Sequence, residues 1–362
     1  MRSQMIATSI PAKTSQERAD HLIQWLRAYA DRRLNSRLID ERRMIPPHVV
    51  LDFGNQGVLG MHVSSAYGGL GLTLPDTLRV LQQIAAIDLT LAIFTTTNVL
   101  GARLIERHAQ PSLRAEWLPR LANGRELAAF AITEPGAGSN PAAIAAQATP
   151  DGQGSWQLTG AKRWIGSGAW ANIINVFAQL YDIKGDPLGM TGFVVRQGAP
   201  GLVLGPEALT MGLRGMVQNT LYLNGVPVGA NDILGEVGQG LAVAQDTMMF
   251  TRLCLGAICV GGMKRCIQLM HRYASQRTVA TGLLLDNPLS LLRISEWIAA
   301  TTALETLVTS TATFLDEGRI PLAPAVLACK VLGSELLWQA ADALVQMLGG
   351  RGYEENNLAP QI

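Results

Sequence analysis

The stretch Phe130-Ala131-Ile132-Thr133-Glu134-Pro135-Gly136-Ala137-Gly138-Ser139-Asn140 decides how the rest of the chain is read. Residues 127–132 are apolar and strand-like, and they run through Thr-Glu-Pro into a turn carrying Gly136 and Gly138. Glycine admits backbone conformations closed to other residues and lets a ligand approach the main chain, so such a turn bares N–H groups. The hydroxyls of Thr133 and Ser139 add donors and acceptors at the same bend. The turn can cradle a polar heterocycle or a phosphate. An ordinary strand-to-loop turn is the alternative that the stretch by itself leaves open.

A second segment, Gly160-Ala161-Lys162-Arg163-Trp164-Ile165-Gly166-Ser167-Gly168, closes a strand that begins near Trp156. It sets a flat indole among small residues, which suits a planar ligand, although a lone Trp can equally be core. Together the two segments resemble the flavin-contacting signatures of the acyl-CoA dehydrogenase family, in which a Thr-Glu-Pro-x-Ala-Gly-Ser run precedes a Lys-x-Trp-Ile strand. Further stations follow in the family's order. They are Tyr67-Gly68-Gly69-Leu70-Gly71-Leu72, Met211-Gly212-Leu213-Arg214-Gly215, Leu221-Tyr222-Leu223-Asn224-Gly225-Val226-Pro227, Thr251-Arg252, Tyr273-Ala274-Ser275-Gln276-Arg277 and Gln346-Met347-Leu348-Gly349-Gly350-Arg351-Gly352-Tyr353. The resemblance spans nearly the whole chain.

Composition bounds the function class. The chain has 362 residues, 48% of them hydrophobic, which is enough for two or three domains with buried cores. Only 16% are charged and the net charge is +1, so nothing points to nucleic acid or an anionic membrane surface. No uninterrupted apolar run reaches the roughly 18 residues of a membrane span. Met1-Arg2-Ser3-Gln4-Met5 lacks the apolar core of a secretory signal, so a cytoplasmic enzyme is expected. Cys254, Cys259, Cys266 and Cys329 form no Cys-x-x-Cys pair and have no histidines at ligand spacing, so no metal site is expected. They read as small buried hydrophobes in a reducing compartment. His21, His48, His62, His108 and His271 are scattered and read as structural or surface residues. Neither a Gly-x-Gly-x-x-Gly turn between strand and helix nor a P-loop occurs, which argues against a Rossmann dehydrogenase or a P-loop NTPase.

Hydrophobic periodicity divides the chain in three. Over 1–125 the pattern is helical: Leu22, Ile23, Leu26 and Tyr29 recur on one face, and Thr73-Leu74-Pro75-Asp76 reads as a capped helix start. Over 126–233 the period changes to two, with strand-like runs at 155–159, 172–180, 191–196 and 220–223. Over 234–362 the helical period returns in three long apolar stretches that start at residues 240, 291 and 322. The expected fold is α+β and acyl-CoA dehydrogenase-like: an N-terminal all-α domain, a central antiparallel, flavin-contacting β-domain and a C-terminal helical bundle. Helices so apolar need partners, so the bundle is also expected to form a subunit interface.

The resemblance implies FAD as cofactor and an acyl thioester as substrate, dehydrogenated between its α and β carbons with hydride passing to flavin N5. Carried over, Phe130, Ile132, Thr133, Gly138 and Ser139 line the flavin from the first motif, and Trp164 and Gly166 from the second. Arg277, Gln346, Gly349 and Gly350 reach the FAD of a neighbouring subunit, implying a homodimer or homotetramer. Ser139 and Arg252 contact the substrate, with residues 78–100 and 241–250 walling its acyl tail. The electron acceptor is an electron-transfer flavoprotein or oxygen.

Departures from the family pattern qualify this. Ala280 replaces the aromatic after the pyrophosphate arginine, Asn140 the Asp after Gly-Ser, and Gly166 the hydroxyl residue after Trp-Ile, leaving backbone or Ser167 to address the flavin edge. Met249 stands where many members are acidic, so the thioester carrier is open between CoA and a carrier protein. The family's catalytic Glu falls, by register, beyond Ile362, so the sequence is expected to be a piece of a longer protein with an incomplete bundle. The alternative position for a base is Thr251, which cannot act as one at neutral pH, and Glu354 and Glu355 read as solvated turn residues. An oxidase or monooxygenase on the same fold, and a non-catalytic flavin-binding or structural homologue, are the competing readings.

Overall fold

The computed structural model describes residues 14–319, 322–355, 357–359 and 362. Six helices come first: α1 (Ser15–Arg33), α2 (Ser36–Arg42), α3 (Pro47–Asn55), α4 (Leu74–Ile87), α5 (Leu89–His108) and α6 (Pro111–Ala122). Their starts are chemically marked. Thr14 and Glu17 form a reciprocal capping box on α1, Thr73 caps α4 through the Asp76 N–H with Pro75 in the first turn, and Asp88 caps α5 through the Leu91 N–H.

Eight strands follow: β1 (Ala128–Ala131), β2 (Gln147–Pro150), β3 (Trp156–Gly166), β4 (Ile173–Tyr181), β5 (Pro187–Arg196), β6 (Leu202–Glu207), β7 (Gln218–Val228) and β8 (Ile233–Leu234). The sheet runs β6-β7-β3-β2-β4-β5-β8, with β1 laid beside β4. Most pairs are antiparallel as expected, but β1 and β2 both run parallel to β4. These pairings join strands far apart in sequence, so no hairpin signal announces them. β2 and β8 are too short, and β6 too exposed, to give a clear strand pattern in the sequence.

The chain then returns to helix in α7 (Gly240–Ala274). A small hairpin of β9 (Thr278–Val279) and β10 (Gly282–Leu283) leads to α8 (Pro288–Asp316) and α9 (Ala323–Leu348). The first and last thirds share one core: Leu81 and Ile84 of α4, Leu91 and Phe94 of α5, Leu253 and Val260 of α7 and Val326 and Leu344 of α9 belong to a single buried cluster. Contact is close because Gly261 has no side chain; a Cβ there would lie 2.3 Å from the Gln82 carbonyl of α4.

Helix α5 also docks on the sheet. The Asn98 side chain accepts the Ala128 N–H at 2.8 Å, Asn175 of β4 donates to the Ala129 carbonyl at 3.0 Å, and a Cβ on Gly101 would meet the Ala128 methyl at 2.4 Å. The four cysteines are free and buried, three of them on α7. Both α7 and α8 are long and apolar enough to cross a membrane by length and composition alone; the most apolar window of α7 is 67% buried in the protein, that of α8 only 28%. Leu289 and Leu292 of α8 and Val331 and Trp338 of α9 are exposed.

Candidate functional site

The ends of β1 and β3 are clasped together by a buried ion pair. Lys162 has no exposed surface, and its Nζ lies 2.5 Å from Glu134 Oε1. Glu134 also accepts the backbone N–H groups of Ala145 (2.6 Å) and Ala146 (3.1 Å), and Lys162 donates to the Ile132 carbonyl at 3.4 Å. The Arg163 N–H reaches the Thr133 carbonyl at 2.9 Å. The two sequence segments therefore form one rigid unit. Burial pushes the Lys162 ammonium below its usual range, opposed by the Glu134 carboxylate. This pair was missed in the sequence, where Glu134 and Lys162 stand among motif residues with nothing to show that they meet.

The unit presents two open features. In the turn closed by mutual Glu134 and Ala137 backbone bonds, the space where Gly136 and Gly138 would carry side chains is open for 4 Å. On β3, the register slips between Lys162 and Ile165, and within that bulge Trp164 adopts φ 57° and leaves its side chain 55% exposed. A bulge that re-aims a large indole toward solvent exposes apolar area that a planar ligand would cover. The Arg163 guanidinium lies 4.9 Å from its ring centre. Two residues on, Gly166 abuts Thr97 of α5, which the sequence did not single out. Phe130 packs against Phe177 with centroids 5.4 Å apart.

Beside the unit lies a cavity of about 560 Å³ in which Ile132, Thr133, Gly138 and Ser139 face Met248, Met249 and Arg252 of α7, with Ala323 and Leu327 of α9 behind. Arg252 is half-buried; its guanidinium donates to Met249 Sδ at 3.3 Å, and among the described residues no carboxylate pairs with it. A cation so placed is matched to a polar or anionic ligand. Among its described lining residues the cavity has no Asp, Glu or His. Thr251 donates its hydroxyl to the Thr247 carbonyl, and Glu355 is 90% exposed beside Arg214, so neither offers a base here.

Other expected site residues lie apart from this cavity. Arg277 is exposed and has no ion-pair partner among the described residues. Gln346 lines a separate groove of about 820 Å³ between α8 and α9, with Arg293, Trp297, Trp338 and Asp342. Gly349 caps α9 with φ 58°, and Gly350 follows it in open space. Residues 245, 248 and 249 line the cavity, and within 78–100 Leu78, Leu81, Leu91, Phe94 and Val99 belong to the helical core.

On another face of α7, the Arg103 guanidinium lies 4.4 Å over the Phe250 ring, and the nearby His62 has both ring nitrogens buried without a hydrogen-bond partner among the described residues. Burial, with Arg103 adding to it, pushes His62 down to about 3.

Comparison with known proteins agrees with this arrangement. Residues 16–125 match the model of the acyl-CoA dehydrogenase N-terminal domain, 129–226 its middle domain and 238–362 its C-terminal domain. A Mycobacterium bovis protein named "Probable acyl-CoA dehydrogenase FadE10" is 30% identical over 349 residues, 95% of this chain and 53% of that protein. The very long-chain specific acyl-CoA dehydrogenase of Rattus norvegicus mitochondria is 30% identical over 82% of this chain and 46% of its own. The chain thus spans about half the length of these curated relatives. The solved butyryl-CoA dehydrogenase of Megasphaera elsdenii superposes with a TM-score of 0.90 at 24% identity, over 95% of this chain and 91% of that one, and so shares the fold. With its three domains matched in order, the chain belongs to the acyl-CoA dehydrogenase family.

Proposed function

We propose that this chain binds FAD and an acyl thioester and serves the FAD-dependent α,β-dehydrogenation of that thioester. The observation that carries the reading is the Lys162–Glu134 clasp, which ties the strand bearing an exposed indole to an open glycine turn that lines an arginine-bearing cavity. These residues fit FAD: the indole of Trp164 offers a flat apolar platform, and the turn at Gly136 and Gly138 offers backbone N–H groups with room to approach them. FAD would supply the hydride acceptor, chemistry that no side chain provides. The protein's own part is placement. Thr133, Gly138 and Ser139 would hold the cofactor edge and the thioester carbonyl, and Arg252 would hold the polar part of the substrate tail. Met248, Met249 and Leu327 would exclude water from the acyl chain. The α proton requires a carboxylate brought to the cavity from outside its described lining.

The substrate reading stops at the thioester. With Met249 beside Arg252 the cavity offers one cation and no acidic partner, which suits a CoA or carrier-protein phosphopantetheine arm alike. Arg277, Gln346, Gly349 and Gly350 would complete the site of a second copy docked on the exposed apolar faces of α8 and α9, giving a homodimer or homotetramer. Buried free thiols support a cytoplasmic enzyme, and the electrons would leave to an electron-transfer flavoprotein or to oxygen. The test is anaerobic bleaching of bound flavin in the natural protein by short, medium and long acyl-CoA and carrier-bound thioesters. Bleaching by at least one thioester supports the proposal, and a flavin that dithionite reduces but no thioester bleaches overturns it.

A further inference from the structure

We infer that the hydroxyl addressing bound flavin beside Gly166 comes from Thr97 of α5. The assignment rests on the flavin reading above. Gly166 ends β3 two residues past the exposed indole of Trp164 and brings no side chain to that edge. The space is not empty. A Cβ at Gly166 would lie 3.5 Å from Thr97 Oγ1 and 3.7 Å from Thr97 Cγ2, with the Met216 terminal methyl at 2.8 Å. The threonine side chain thus stands in contact with the position that a strand residue would otherwise fill.

The nearest hydroxyl in sequence, Ser167, is withdrawn. It is 3% exposed, its N–H is held by the Val217 carbonyl at 2.8 Å, and its carbonyl takes the N–H groups of Trp170 (2.9 Å) and Ala171 (2.8 Å). Thr97 is half-buried and keeps an open side. Its hydroxyl donates to the Ile93 carbonyl at 3.0 Å, which fixes the rotamer and leaves the oxygen's lone pairs free to accept.

Helix α5 cannot drift from this position. Gly101, one turn on and on the same face as Thr97, is in near contact with Ala128 of β1, and the adjacent Asn98 accepts the Ala128 N–H at 2.8 Å. A hydroxyl moved from the strand to this helix would therefore meet the cofactor from a rigid mount, through one hydrogen bond.

Thr97→Val removes the hydroxyl while keeping the shape, and Thr97→Ser restores it. Both are compared with the unmutated chain by fluorescence titration with FAD and by the visible spectrum of the bound flavin; circular dichroism melting confirms that each variant is folded. The assignment predicts FAD binding about three- to tenfold weaker in Thr97→Val, the worth of one hydrogen bond, with an altered flavin band shape. Thr97→Ser should lie within about twofold of the unmutated chain. Wild-type affinity and spectrum in a folded Thr97→Val overturn the assignment alone. An unmutated chain that takes up no FAD overturns the flavin reading and this assignment with it.

Discussion

Replacing Lys162 by Met tests whether the buried ion pair organises the site. The substitution keeps the length and apolar stem of the side chain but leaves Glu134, 5% exposed, without its cation. Removing one partner of a buried pair costs about 3–5 kcal/mol, because the remaining charge stays desolvated. Glu134 keeps its bonds from the Ala145 and Ala146 N–H groups at 2.6 and 3.1 Å, which places the expected loss near 3 kcal/mol, the lower end of that range. That is a large share of the roughly 5–15 kcal/mol that holds a domain folded. The double variant Lys162→Met/Glu134→Gln removes the charge and should recover about half of the loss, since a neutral amide can still accept one of the two backbone bonds. Stability is read from urea unfolding midpoints, and site geometry from FAD affinity. A single variant with an unchanged midpoint, or a deficit undiminished in the double variant, would show that the pair does not organise the site.

Two further outcomes follow from named groups. His62 is held at about 3 in the fold against an ordinary 6.5, so its contribution is fully present above 6.5 and is lost as pH falls from there toward 3. The gap corresponds to about 4–5 kcal/mol, and His62→Phe, packing toward Phe250, should flatten the acid limb of a stability-against-pH curve. Arg252 has no carboxylate partner among the described residues, so Arg252→Ala should change the urea midpoint little while weakening acyl-CoA binding, seen by calorimetry, by about 1.5–3 kcal/mol, the worth of a hydrogen bond to a charged group.

Much of the fold was legible because it rests on local signals. The Thr73 cap with Pro75, the return of the helical period at residue 240 and the near-continuous apolar run of β4 each announce their element without help from distant residues. What escaped depends on pairs distant in sequence. The parallel registers of β1 and β2 on β4 join residues up to 45 positions apart, and the Lys162–Glu134 contact spans 28. Thr97 meets Gly166 only because α5 docks on β1, a contact set by the smallness of Gly101 and Ala128. Residues 78–100 have an apolar pattern that fits a pocket as well as a core, and packing in the helical bundle buries Leu78, Leu81, Leu91, Phe94 and Val99 among them.

Ile132, Thr133, Gly138, Ser139 and Arg252, named by the family motifs, line one cavity, because the turn after β1 and helix α7 approach each other there. Arg277, Gln346, Gly349 and Gly350 lie elsewhere on the chain, and their expected role requires a second copy.

Equilibrium titration of the purified chain with FAD, followed by flavin absorbance and by quenching of tryptophan fluorescence, tests whether the clasped unit is a flavin site. Saturable binding of one FAD per chain is expected. Trp164→Ala, which removes a side chain now 55% exposed and available to cover the cofactor, should weaken binding by about 1–3 kcal/mol. Failure to bind FAD at any concentration, or binding that Trp164→Ala leaves unchanged, would contradict a flavin site there.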